Sequence, residues 1–547
     1  MPTAVGHEIY DASTHTIIMA GITNNTSQDL SLEGSVLLNI SKDVKHTDLS
    51  LVVSVAFLVY WVVLVVYRLH FSPIAKFPGP KLAAATNWYE FFFQIAKDGQ
   101  FRFQVQKLHD KYGPIVRINP WELSIRDSSF YSEIFVAGST RRTDMWARGR
   151  EGNGFGNTHH LSVPHDLHRQ KRKHLEPFFS RQSISRMEDV IAGKVRILDE
   201  RLQSLKNTNT VVSSNGAFMA LTGDIIGHVT CGTNPGLVDD SRFAPEWHQL
   251  LNKTVLVGPL FKCFPWLNSL LQLIPASIME RLYPRGISNM MVGKIGMEYI
   301  ERIKNQIRNN DMDEKDNNKS LFHHFLTSDI PESEKTTARL QSESLLFLIA
   351  GTFSSAHTLS NILYYVLADP AIKNRLRNEL KDVMACYPDK YPRWADLEKV
   401  EYLRACIKEG LRLSGLVGNI SRCSPDVALQ YKEWTIPKHT PVGMSIYGMH
   451  TDPEVFPEPL KFLPERWLGD YDPLMNRNFV PFTKGSRNCI GINLANAELY
   501  FTIAILFRPG GPELSLFETV ESDVLPVRDY IIGLPRPESK GVRVLVN

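Results

Sequence analysis

Residues 49–67, LSLVVSVAFLVYWVVLVVY, run for 19 positions without a charged side chain. As a helix rising about 1.5 Å per residue they cover roughly 28 Å, enough to cross the hydrocarbon core of a bilayer. Valine recurs on every face and aromatics sit at the exit end, a pattern that favours a membrane span over a core helix. The run begins too far in for an ordinary signal peptide. Glu8, Asp11, Asp29, Glu33, Asp43 and Asp48 precede it against Lys42 and Lys45, whereas Arg68, Lys76 and Lys81 follow. The positive-inside rule therefore puts a tail, residues 1–48, in the lumen and the long C-terminal part in the cytosol, as expected of a single-pass endoplasmic reticulum protein. The tail carries glycosylation acceptor tripeptides at Asn24, Asn25 and Asn39.

After the span, Pro73, Pro78 and Pro80 punctuate residues 68–81, which reads as a stiff neck. The remainder, 82–547, shows neither an internal repeat nor a low-complexity linker. A formal net charge of +3 gives no field of one sign, so nucleic-acid binding is discounted. Six cysteines without CxxC spacing indicate neither a zinc site nor a disulfide framework. The strongest periodic segments are helical: 340–367, apolar almost all round, reads as a helix through the core, and YLRACIKEGLRL as another. Between about 427 and 448 the pattern turns to short β-prone pieces broken by Pro437 and Pro441. The fold class is mainly α with a small β component.

One stretch, PFTKGSRNCIG at 481–491, sets Cys489 between two glycines and behind two cations. A lone thiol is most often a small buried hydrophobe. Here INLANAELYFTIAILF follows as an amphipathic helix, which would put the sulfur at a helix N-terminus, where dipole and free N–H groups favour thiolate. A nucleophile would want a base and an oxyanion site. A macrocycle ligand wants room for a flat plate, backbone donors to the sulfur and cations for rim carboxylates. Gly485 and Gly491 leave that room, Phe482 offers an apolar cover and Arg487 can pair with a rim carboxylate, which points to haem with an axial thiolate.

FTKGSRNCIG resembles, at every defined position, the Phe-x-x-Gly-x-Arg-x-Cys-x-Gly signature of the cytochrome P450 haem-thiolate monooxygenases. Three further resemblances extend over nearly all of the chain after the anchor and imply the P450 fold. Glu409 and Arg412 in KEGLR look like the family's Glu-x-x-Arg pair, although an i, i+3 ion pair alone is common surface decoration. Arg466 in FLPERW resembles the cation that completes their buried network, a structural role. HDLHRQKRKHLEPFFS is similar to the helix that contacts a haem propionate, with His168 in the tryptophan place and Arg172 as the arginine. Arg169, Lys171 and Lys173 there read as a solvated basic face on which an acidic reductase surface could dock. Arg422 resembles a further propionate partner.

In the long core helix AGTFSS, 350–355, stands where relatives have Ala-Gly-x-acid-Thr-Thr. The resemblance gives Gly351 and Ser354 the oxygen groove and proton relay, a hydroxyl in a locally opened helix. Phe353 takes the place of the acid and cannot carry a proton, so delivery must run through water, Ser355 or His357. A lone histidine in an apolar helix is usually a core residue, yet His357 is the substitute relay expected here.

The resemblance implies a monooxygenase that inserts one oxygen atom from O2 into an apolar small molecule by hydroxylation or epoxidation. It further implies haem b, electrons from NADPH through NADPH-cytochrome P450 reductase, and substrate contacts from 146–156 and 413–419. FRPGGPELSLFET and SKGVRV resemble filamentous-fungal members of secondary metabolism, such as the trichodiene oxygenase-like enzymes, and so suggest a terpenoid or polyketide substrate. A haem-thiolate isomerase or dehydratase would tolerate Phe353 and need no reductase. A haem-binding sensor without turnover would have no use for the oxygen groove.

Overall fold

A computed structural model describes residues 46–150, 156–232, 235–275, 278, 288–309, 320–530 and 532–547. The acceptor sites at Asn24, Asn25 and Asn39 lie outside the described residues. The chain divides into two compact units, Met1–Val66 and Tyr67–Asn547. In the first, helix α1 (His46–Val66) leaves its apolar side chains exposed from Leu49 to Val63. The apolar run Leu49–Phe71 is long enough to cross a membrane.

The second unit contains α2 (Phe101–Tyr112), α3 (His165–Lys173), α4 (Glu188–Ser204), α5 (Ser214–Cys231), α6 (Pro245–Cys263), α7 (Ser288–Arg308), α8 (Thr337–Ala368), α9 (Glu401–Leu413) and α10 (Ile492–Phe507). The Thr336 hydroxyl accepts from the Arg339 N–H and starts α8, which then runs about 48 Å through the core. Helices α5, α7, α9 and α10 pack against it, which is why its sequence is apolar almost all round.

The glycine at its centre answers to packing. A Cβ on Gly351 would stand 2.7 Å from Cγ1 of Ile226 on α5, closer than any side chain tolerates. Gly351→Ala is expected to destabilise the domain by about 1–3 kcal/mol. A lowered thermal midpoint, recovered when Ile226→Ala is added, is the check.

The β component is led by a five-stranded sheet of β1 (Ile115–Arg117), β2 (Leu123–Ile125), β3 (Asp144–Met145), β4 (Asn419–Cys423) and β5 (Val442–Ser445). Its order is β1-β2-β5-β4-β3, with only the β2–β5 pairing parallel. The β4 register sets Arg422 opposite both Val442 and Met145, and so delivers its guanidinium to the site below.

Segment 68–81 packs onto this unit instead of standing off as a neck. Ile74 and Phe77 are buried with Ile115 and Leu123, and Arg117 donates to the Arg68 carbonyl (2.8 Å). The prolines remove backbone donors while the apolar residues between them find a core.

Candidate active site

The loop carrying Cys489 is pinned from behind. Gly485 has φ +80°, and a Cβ there would meet the carbonyl oxygens of Val136 and Phe135 at 2.4 and 2.6 Å. Its lack of a side chain serves this approach and does not clear room for a plate. Ser486 N–H donates to Val136 O (3.0 Å) and Cys489 N–H to Phe482 O (2.9 Å). Gly491 does leave space, since only the Cys489 sulfur lies within 4 Å of its missing Cβ.

Helix α10 begins three residues past the cysteine and is buried on every face from Ala497 to Phe507, so it is not amphipathic. The Gly491 N–H donates to the sulfur. Burial raises the Cys489 pKa, with that N–H and Arg172 pulling the other way. The free chain thus holds a thiol, and a metal is what would make it thiolate.

A buried network ties the loop to α9. Arg412 donates to both Glu409 oxygens (2.9 and 2.7 Å), and Arg466 Nε, Trp467 Nε1 and the Leu463 N–H donate to the same carboxylate. Arg412 also holds the carbonyls of His450 and Pro459 (2.7 and 2.6 Å). Burial, reinforced by Arg412, lowers the His450 pKa to about 3. Its neutral Nε2 therefore accepts from Val480 N–H (3.0 Å) and its Nδ1–H donates to Arg412 O (3.1 Å). Val480 opens the cysteine loop, so the network sets the height of the sulfur.

Cys489 opens on a cavity of about 440 Å³. Arg172, Arg422, Arg487, His160 and His168 collect at one side of it. Arg487 donates to the carbonyls of Thr143, Ser162 and Val163 (2.8–2.9 Å). Arg172 is held by Glu176 (2.6 Å) and by Asn488 Oδ1 (2.8 Å). Both are first of all staples on the loop. Arg422 donates to Ser421 O (3.1 Å).

Burial holds the Arg487 guanidinium down to about 9 and Arg422 down to about 10. Burial and the surrounding cations push His160 down to about 3. His168 Nδ1 is buried with no partner among the described residues. Cations short of anions beside an orphaned imidazole suit a ligand that brings carboxylates, which haem does through its propionates. The residues present fit the group: Cys489 for the metal, with Arg422, His168 and the free protons of Arg172 and Arg487 for the rim.

Helix α8 lines the same cavity with Phe353, Ser354 and Ser355. The helix is not opened there. Ser354 donates to Ala350 O (2.7 Å) and Thr358 to Ser354 O (3.1 Å), so hydroxyls double the helix carbonyls without breaking its ladder. His357 does not line the cavity. It stacks behind Phe353 and bonds Ser414 O (3.0 Å), with its pKa lowered by burial, a core histidine and not a relay. Of α3's basic residues, Lys171 is buried and donates to Asn157 Oδ1 (2.8 Å), so only Arg169 and Lys173 remain on an exposed face.

The described residues of 146–156 do not border the cavity, and 151–155 lie outside the described residues; Ser414 to Val417 do border it. Sequence reasoning passed over the apolar wall that α6 supplies through Val255 and Phe261. It also passed over Glu498, although this is the only charged side chain in α10 and such isolation was a signal.

A cysteine beneath a largely apolar chamber, with cations and imidazoles at its border, is the donor set that a haem with an axial thiolate would need. The cytochrome P450 family profile matches residues 80–509. Cytochrome P450 monooxygenase oblB of Aspergillus clavatus is 47% identical over 89% of this chain and 95% of its own. Stellatic acid synthase of Emericella variicolor is 42% identical over 90% of this chain and 94% of its own. Fusicoccadiene C-8 hydroxylase of Phomopsis amygdali is 42% identical, covering 89% and 94%. The chain belongs to the cytochrome P450 family and is a monooxygenase, an oxidoreductase akin to those of fungal secondary metabolism.

Proposed function

We propose that this monooxygenase inserts one oxygen atom from O2 into an apolar terpenoid or polyketide intermediate, by hydroxylation or epoxidation. Residues 49–67 anchor it in the endoplasmic reticulum membrane with the tail 1–48 lumenal, and the domain downstream of residues 68–81 works in the cytosol. Electrons come from NADPH through a separate NADPH-cytochrome P450 reductase. Cys489 ligates the iron of haem b, and Arg172, Arg422, Arg487 and His168 hold its propionates.

The observation that carries this reading is Cys489 lying open on a cavity whose apolar walls include Ile226, Val255, Phe261, Phe353 and Val417. Bound there, haem would supply dioxygen activation and oxygen transfer. The apolar walls select a hydrocarbon-rich substrate by shape. Ser354 and Ser355 place hydroxyls where protons are needed. A relative named as a C-8 hydroxylase supports hydroxylation.

The carbon-monoxide difference spectrum of the reduced protein in microsomes tests this. A strongly red-shifted Soret band in the wild type, absent in Cys489→Ala, is expected. An unshifted band in folded, haem-supplied wild type would remove the thiolate and the reading with it. Phe353 in place of an acid keeps a reductase-independent isomerase or dehydratase as second reading, and turnover without NADPH and reductase would select it.

A further inference from the structure

The oxygen side of the cavity needs protons, and α8 brings no acid to it. Phe353 is 6% exposed and His357 is turned away onto Ser414. Yet one carboxyl does border the cavity among the described residues, Glu498, which comes from α10, nine residues past Cys489. It is 1% exposed, the Ser355 hydroxyl lies near enough to its carboxyl to pull its pKa down against burial, and its Oε1 is buried with no partner among the described residues. A carboxylate in that state would be an uncompensated buried charge, so the group needs a reason to be there.

We propose that Glu498 is the acid of the proton relay, acting through Ser355 in place of the carboxyl that Phe353 displaces. The assignment rests on the monooxygenase reading above and deepens it. Burial raises the Glu498 pKa to about 8, so the group stands protonated at neutral pH and holds a proton to give. In one delivery Ser355 passes its hydroxyl proton toward the cavity and receives the Glu498 proton, and the carboxylate left behind is reprotonated from cavity water. Each oxygen atom inserted consumes two protons and two electrons, the electrons coming from NADPH. Ser354, whose proton is committed to Ala350 O, orients and does not supply.

Glu498→Gln keeps shape and removes the proton source. Infrared difference spectra of the ferric protein, wild type minus variant, read the group without turnover: a protonated-carboxyl band is expected in the wild type and its loss in the variant. In the reconstituted system with reductase, NADPH and fusicoccadiene as probe, the variant is expected to retain the wild-type carbon-monoxide band. Its NADPH oxidation should fall about tenfold or more, with a larger solvent deuterium effect, because proton transfer has become limiting. Ser355→Ala should reproduce the slowing, and Phe353→Asp in the Glu498→Gln background should restore part of the rate.

Absence of the infrared difference, or an unchanged rate and solvent isotope effect in a variant with an intact carbon-monoxide band, overturns the assignment and leaves the monooxygenase reading standing. A wild type without the thiolate band would instead sink that reading, and the infrared arm would still decide whether Glu498 holds a proton.

Discussion

Glu409→Ala abolishes accumulation of folded protein at ordinary growth temperature. Glu409 and Arg412 are both 0% exposed, and this carboxylate accepts from two arginines, an indole and a backbone N–H. Removing it leaves Arg412 as an unpaired buried cation, a change worth about 3–5 kcal/mol against a whole-domain stability of about 5–15 kcal/mol. The His450 and Pro459 carbonyls that Arg412 holds would loosen with it, and with them the Val480 anchor of the cysteine loop. Thermal denaturation and the yield of carbon-monoxide-binding protein check this. Arg466→Lys, at the edge of the network, should lose far less.

The second large effect falls on a residue that touches no ligand. Gly485→Ala must hold a side chain at φ +80° and push a methyl against two carbonyl oxygens. The left-handed backbone alone costs about 1–2 kcal/mol, and relieving the contact moves the loop off residues 135–136, four positions before Cys489. The expected result is a melting midpoint lowered by several degrees together with a reduced haem content. Gly491→Ala, which meets only the sulfur, should keep stability and change the haem spectrum instead. Equal effects at the two glycines would mean that the loop is not pinned at 485.

The contrast between these glycines shows what could be read in advance. Both stood in one motif, and residue type alone assigned both to a flat ligand. The structure separates them because Gly485 answers to the backbone of residues 135–136, far away in sequence. Gly351 repeats the lesson: its neighbour is Ile226 of α5, so packing demands it. Helix α10 was misread as amphipathic because its start is polar, whereas its remaining length is enclosed by α4, α8 and α9. Lys171, solvated by its sequence pattern, and His357, a relay by its position, both turn out to be buried on Asn157 and Ser414, since a side chain's partner is invisible until the chain folds.

What the sequence determined by itself is local and chemical: a charge-free run long enough for a bilayer, a cysteine in a loop with fixed spacing of glycine and arginine, and an acid and a base one helical turn apart. Such signals survive without tertiary structure because spacing along a strand or helix already sets which side chains are neighbours. Only the folded chain decided which cations are staples, which imidazole nitrogen finds no partner among the described residues, and that a carboxyl from α10 borders the cavity. Those answers depend on desolvation and on contacts between distant segments, and both come into being only when the core closes.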